Sequence, residues 1–186
     1  MIPKANTQFL SLYTEFNDKQ FEFFGRLTVI LPCIIIDAMC GGLARHLRFY
    51  GVDVIFDATK NHFELEFQAS RKECTLITLA KRHRIATNCL VIPEDFRGST
   101  PRQLEFLCKI HLIHKYFDLE RTRCGLCNTL LEELDEIAAR VALPERTLTF
   151  YESQAGRGKL LKMKTWICPH CQKYYWEGSH WRNIVE

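Results

Sequence analysis

The chain has 186 residues, 47% of them hydrophobic and 25% charged, with 25 basic and 22 acidic residues for a net charge of +3. These ordinary globular proportions exclude a disordered tail, a coiled coil or a collagen-like chain. No apolar run of about 18 residues is present, which excludes a membrane-spanning helix.

Nine cysteines stand in a chain whose Met1 is not followed by a basic and then apolar export signal. A soluble intracellular protein is expected, with metal ligation or buried thiols rather than a disulfide framework.

Residues 1–32 are rich in phenylalanine, and Phe9, Leu12, Tyr13 and Phe16 fall on one helical face. A packing helix or a partner-binding arm fits that spacing. Val29 to Leu31 and Cys33 to Ile36 form a nearly continuous apolar run ending at Asp37. Such β-branched runs predict a strand buried on both faces, as in a parallel sheet. Gly41-Gly42 opens a helix over Leu43, Leu47 and Tyr50, with Gly51 as its closing residue. A strand at Val54–Phe56, a helix at 63–72 and a strand at 75–78 follow. A basic helix at 81–86, a strand at 89–92 and a long helix at 101–116 complete the pattern. The alternation predicts a three-layer α/β fold with a mostly parallel sheet over residues 33–118. His111 and His114 read as ordinary helix residues there. A separate small module is expected at 119–186.

Cys124-Gly-Leu-Cys127 and Cys168-Pro-His-Cys171 are two C-x-x-C pairs. Two intervening residues let a tight turn aim both thiolates at one ion, and two such turns supply a tetrahedron of sulfur, which suits structural zinc. His170 or His180 is a possible substitute ligand. Cys33, Cys40, Cys74, Cys89 and Cys108 lie in or beside apolar segments, as small buried hydrophobes do.

Three stretches occur together: Ile36 to Arg48 (Ile-Asp-Ala-Met-Cys-Gly-Gly-Leu-Ala-Arg-His-Leu-Arg), the two cysteine pairs, and Tyr175 to Trp181 (Tyr-Trp-Glu-Gly-Ser-His-Trp). In combination they resemble the Mutator Seven C-terminal domain, a PIN-like ribonuclease fold with an appended zinc ribbon. The resemblance covers residues 33–186. It implies a domain that follows a 3′–5′ exoribonuclease in animals, with a role in RNA silencing, and a cytoplasmic setting that includes perinuclear granules. It also implies an adaptor protein as partner.

PIN-like nucleases hold Mg²⁺ or Mn²⁺ with three or four clustered carboxylates, because these hard ions demand oxygen ligands. Asp37 matches the family's first carboxylate. For the second, Glu64 is the acid nearest the expected helix start. The third position is Ala80, in Leu76-Ile77-Thr78-Leu79-Ala80. Glu94 or Asp95 stands for a fourth. This set implies a vestigial acidic pocket with no catalytic residue, in which Asp37 acts as a turn carboxylate ahead of Gly41-Gly42.

Basic residues mark the expected RNA contacts: Arg45 and Arg48 on one helix, then Lys81, Arg82 and Arg84, then Arg157, Lys159, Lys162 and Lys164. Such residues neutralise phosphates in a sequence-independent way, and aromatic faces stack on single-stranded bases. The tryptophans are expected chiefly as core. The expected function is therefore a non-catalytic domain that binds single-stranded RNA and docks onto protein. An active metal-dependent ribonuclease and a pure protein-interaction module are its rivals.

Overall fold

The computed structural model describes residues 33–81, 89–111, 113–149 and 164–177. The phenylalanine-rich segment 1–32 and the expected basic helix at 81–86, beyond Lys81, lie outside the described residues. The described residues fall into two compact units, one up to Asn128 and one from Thr129 onward.

In the first unit, β1 (Ile34–Ile36), β2 (Val54–Phe56), β3 (Thr75–Thr78) and β4 (Cys89–Val91) form one sheet in the order β2-β1-β3-β4. Every pairing is parallel, with Ile35 opposite both Ile55 and Leu76. Both central strands are buried at every position, as their unbroken apolar runs require. The chain steps outward from β1 to β2, then crosses back to β3. Right-handed crossovers therefore place α1 (Gly41–Phe49) and α2 (His62–Lys72) on opposite faces. On one face Leu65 and Ala69 of α2 close over Ile35, Cys74 and Leu76.

Local chemistry sets the helix ends. Asn61 and Glu64 form a reciprocal capping box at the start of α2, which satisfies two otherwise orphaned N–H groups. Gly51 follows α1 with φ +83°, and a Cβ there would lie 2.1 Å from the carbonyl oxygen of Asp118. Only glycine fits that position. The long helix expected at 101–116 is shorter: α3 spans Thr100–His111, and Ile113–Tyr116 is a separate 3₁₀ turn. The tighter turn seats Ile113 in the core and is followed by Phe117, stacked on Tyr50 at 4.2 Å between ring centroids.

Two of the cysteines expected as free buried thiols are joined. Cys33 and Cys74 form a disulfide, because each immediately precedes one of two paired strands in register, Ile34 opposite Thr75. Closing a loop across 41 positions stabilises the fold by about 4 kcal/mol in the chain-entropy account. Cys33→Ser, or reduction of the native chain, is expected to lower the melting midpoint by about 10 °C. A midpoint that does not respond to reductant would contradict the bridge.

In the second unit, β5 (Glu132–Glu133), β6 (Thr165–Ile167) and β7 (Tyr174–Trp176) form an antiparallel sheet in that order. Of the tryptophans expected as core, Trp166 is buried and Trp176 half-buried, while Trp181 lies outside the described residues. The short α4 (Glu136–Ala142) starts at Asp135, whose carboxylate accepts the Ala138 N–H at 2.8 Å. Among the described residues no helix is long and apolar enough to cross a membrane.

Candidate metal centre and acidic pocket

Both cysteine pairs are built alike. Asn128 follows the first pair with φ 69° and donates its N–H to the Cys124 carbonyl at 2.9 Å; Gln172 follows the second with φ 58° and does the same to Cys168 at 2.9 Å. In each turn the residue after the second cysteine takes the left-handed conformation, folding the two thiols to one side. The Cys171 N–H also points at Cys168 Sγ, 3.5 Å away.

The sulfurs of Cys124, Cys127, Cys168 and Cys171 all lie within 4.8 Å of one another. A tetrahedral ion with bonds of about 2.3 Å needs sulfurs about 3.8 Å apart, so small movements of side chains suffice. The four cysteines thus form a cluster fit to hold a metal ion. His170 is not part of the group, and His180 lies outside the described residues.

Arg48 is not a nucleic-acid contact. It is 2% exposed, and its guanidinium donates to the carbonyls of Val54 at 2.9 Å and of Gly125 and Leu126 at 3.0 Å each. The last two lie inside the first cysteine turn, so Arg48 holds that turn against α1 and β2. Leu43, Ala44, Leu47 and Arg48 form the buried stripe of α1, while Arg45 faces outward.

The acidic pocket lies at the C-terminal ends of β1 and β3, where the chain departs in opposite directions and open α/β sheets place their sites. Asp37 ends β1 and is 5% exposed. Its Oδ1 accepts the Met39 N–H at 3.1 Å, and its Oδ2 accepts the Thr78 hydroxyl at 2.9 Å and lies 2.9 Å from His62 Nδ1. It caps the turn ahead of Gly41-Gly42, the turn role expected for it. The other nitrogen of His62, Nε2, lies 3.4 Å from a carboxylate oxygen of Glu66, which is fully buried.

Glu64 does not enter this pocket. It is exposed, and its carboxylate accepts the Asn61 N–H at the start of α2. Glu66, two residues on, takes the inner position. Glu94 and Asp95 are exposed on a 3₁₀ turn, with Glu94 paired to Arg97. Ala80 presents its N–H to Thr78 Oγ1 at 2.9 Å, where the family's third carboxylate was expected.

Burial pushes the Asp37 carboxyl up, but the Met39 N–H, His62 and the Thr78 hydroxyl outweigh it and hold the group below its ordinary value of 3.8. A depressed folded-state value means stability is present above the unfolded value and is lost as pH falls through the folded one. Asp37→Asn is expected to cost about 1–3 kcal/mol at neutral pH and nothing at pH values below the folded titration, as read by denaturant melts at both. An equal cost at both would contradict it. Burial first, and then Asp37, push the Cys40 thiol up to about 12. For Cys89, burial and then Glu66 and Asp37 also give about 12. Neither thiol is a nucleophile at neutral pH.

Of the remaining basic residues, Arg45 and Lys81 are exposed, and Lys164 is exposed with its ammonium 3.5 Å from Glu133. Arg82, Arg84, Arg157, Lys159 and Lys162 lie outside the described residues.

The family model of the Mut7-C RNAse domain matches residues 32–186. The chain belongs to that family. No curated protein and no solved structure matches it. Membership in the Mut7-C family gives the chain a nuclease-related, RNA-associated class, and the cysteine turns and Asp37 lie within the matched span.

Proposed function

We propose that this chain is an RNA-holding domain that does not itself cleave, part of a larger 3′–5′ exoribonuclease of RNA silencing. In this reading its parallel sheet is a PIN-like fold, its four cysteines carry structural zinc, and it docks the enzyme onto an adaptor protein.

One observation carries the non-cleaving part. The imidazole of His62 stands between the carboxylates of Asp37 and Glu66, at 2.9 and 3.4 Å. A two-ion phosphodiesterase needs carboxylate oxygens free to face hard cations, and those ions are the main source of transition-state stabilisation. Here the Asp37 oxygens already accept from Met39, Thr78 and His62. Ala80 has no side-chain oxygen to stand in for the missing carboxylate. The pocket is thereby a structural keystone for the end of β1.

Cys124, Cys127, Cys168 and Cys171 would hold the zinc. With four thiolates and no open position, it supplies folding energy and no chemistry.

The RNA part is supported by the family and by exposed Arg45 and Lys81. The docking part is supported by the resemblance, and Ile137 and Val141 stand exposed one turn apart on α4 as the apolar pair such a contact needs.

Binding to unstructured RNA is expected to be indifferent to sequence. It should weaken about a thousandfold between 50 and 200 mM salt if about six phosphates are contacted. Gel shifts across a salt series test this. A flat response, or no shift at low salt, would sink the RNA-holding role.

A further inference from the structure

At the opposite end of the parallel sheet from Asp37 lies a cleft of about 580 Å³, within the usual range of small-ligand sites. It opens ahead of β1 and β2 and is lined by Asp53, Lys115, Tyr116, Asp118, Arg121 and Arg123, among others. Its walls are fastened. The Asp118 N–H donates to the Tyr50 carbonyl at 2.7 Å, the Arg123 N–H donates to the Arg48 carbonyl at 2.9 Å, and Gly51 lies directly against Asp118.

The charges in the cleft divide into two groups. Arg123 is committed to structure: it donates to the carbonyls of Gly51 and Asn128 and faces Asp53 at 3.3 Å. Asp53 in turn accepts from the Asn128 amide at 2.7 Å. By contrast, the side chains of Lys115 and Arg121 make no hydrogen bond or ion pair with a described residue. Tyr116 is 46% exposed beside them. Asp118 uses Oδ1 to accept the Glu120 N–H at 3.1 Å, which leaves its second oxygen for an outside donor.

We propose that this cleft binds one ribonucleotide unit. Lys115 and Arg121 would take the phosphate as charge-assisted donors, and the exposed ring of Tyr116 would stack on the base. Asp118 Oδ2 would accept a ribose hydroxyl, the same task a carboxylate performs in dinucleotide sites. The unit comes either from a strand or from a free nucleotide. The inference deepens the RNA-holding reading and rests on it for the strand source.

The test is calorimetric titration of the whole chain with uridine 5′-monophosphate, its deoxy analogue and hexauridylate, repeated on Lys115→Ala, Arg121→Ala and Tyr116→Leu. These side chains are exposed, so melting midpoints should stay at the wild-type value. Saturable binding of the monophosphate, stronger for the ribose form and weakened about tenfold by each substitution, is expected. Competition by hexauridylate assigns the site to a strand. If the monophosphate binds without such competition, the cleft is a free-nucleotide site, and the inference stands while the RNA-holding role loses its support here. No saturation by the monophosphate, or variants that bind as wild type does, would overturn the inference. It would do so even where hexauridylate still binds elsewhere and the RNA-holding role survives.

Discussion

Stripping the proposed zinc from the four-cysteine cluster is expected to unfold the antiparallel sheet while the parallel sheet persists. Among the described residues from Thr129 onward, the buried ones are Leu143, Thr165, Trp166 and Cys168. These four are a small core to set against the conformational entropy of the described elements they hold together. A structural zinc ion contributes about 10–16 kcal/mol in small zinc-dependent folds. That is as large as the about 5–15 kcal/mol by which a whole domain is usually stable. The three tryptophans, Trp166, Trp176 and Trp181, all lie in this part of the chain, so their emission reports on it alone. With zinc as the proposed occupant, Cys168→Ser should lose one bound equivalent and shift tryptophan emission to the red, with most far-ultraviolet helical signal retained. Unchanged emission after metal removal would contradict a zinc-dependent module.

Arg48→Ala is the second large effect, and it falls on stability rather than on RNA affinity. Removing the guanidinium leaves the buried carbonyls of Val54 and Gly125, and the part-buried one of Leu126, without their donor. Each such orphaned group costs about 1–3 kcal/mol, for a total of about 3–5 kcal/mol once relaxation is allowed. Arg48→Lys should recover less than half of that loss, because one compact ammonium cannot span three carbonyls as a planar fork does. Denaturant melts measure the loss. RNA affinity of the folded fraction should stay at the wild-type value. A stable Arg48→Ala variant with weakened RNA binding would return Arg48 to the surface role that its sequence position suggested.

The parallel sheet was legible in the sequence because each of its strands is a short apolar run bounded by Asp, Thr or a helix start; the antiparallel sheet was not, since one of its strands is the exposed pair Glu132–Glu133. The cysteine turns were legible because their spacing is itself a geometry. Glu66 and Arg48 were missed because they lie on helices, where one position decides whether a side chain is inside or outside. On α2, His62, Leu65, Glu66 and Ala69 follow the i, i+3, i+4, i+7 pattern of a buried face, and that pattern was the available signal for Glu66. It was masked by Phe63 and Phe67, large apolar residues that nonetheless point outward at 48% and 51% exposure, Phe67 with the Arg71 guanidinium over its ring. Glu64, nearest the expected start, instead answers to the helix cap. Arg48 escaped for the same reason: a charge three residues from exposed Arg45 sits in the apolar stripe of α1. The Cys33–Cys74 bridge depended on strand register, which no single stretch of sequence displays.

In the proposed function the Asp37 pocket is closed to metal-assisted cleavage while the chain still holds RNA. Incubating the purified chain with end-labelled single-stranded RNA and Mn²⁺, and reading both gel mobility and strand integrity, tests both halves at once. A retarded band of intact RNA is expected, unchanged by Asp37→Asn in any variant that remains folded. Manganese-dependent cleavage that disappears in Asp37→Asn would contradict it, and would mean that His62 yields its place to a metal ion.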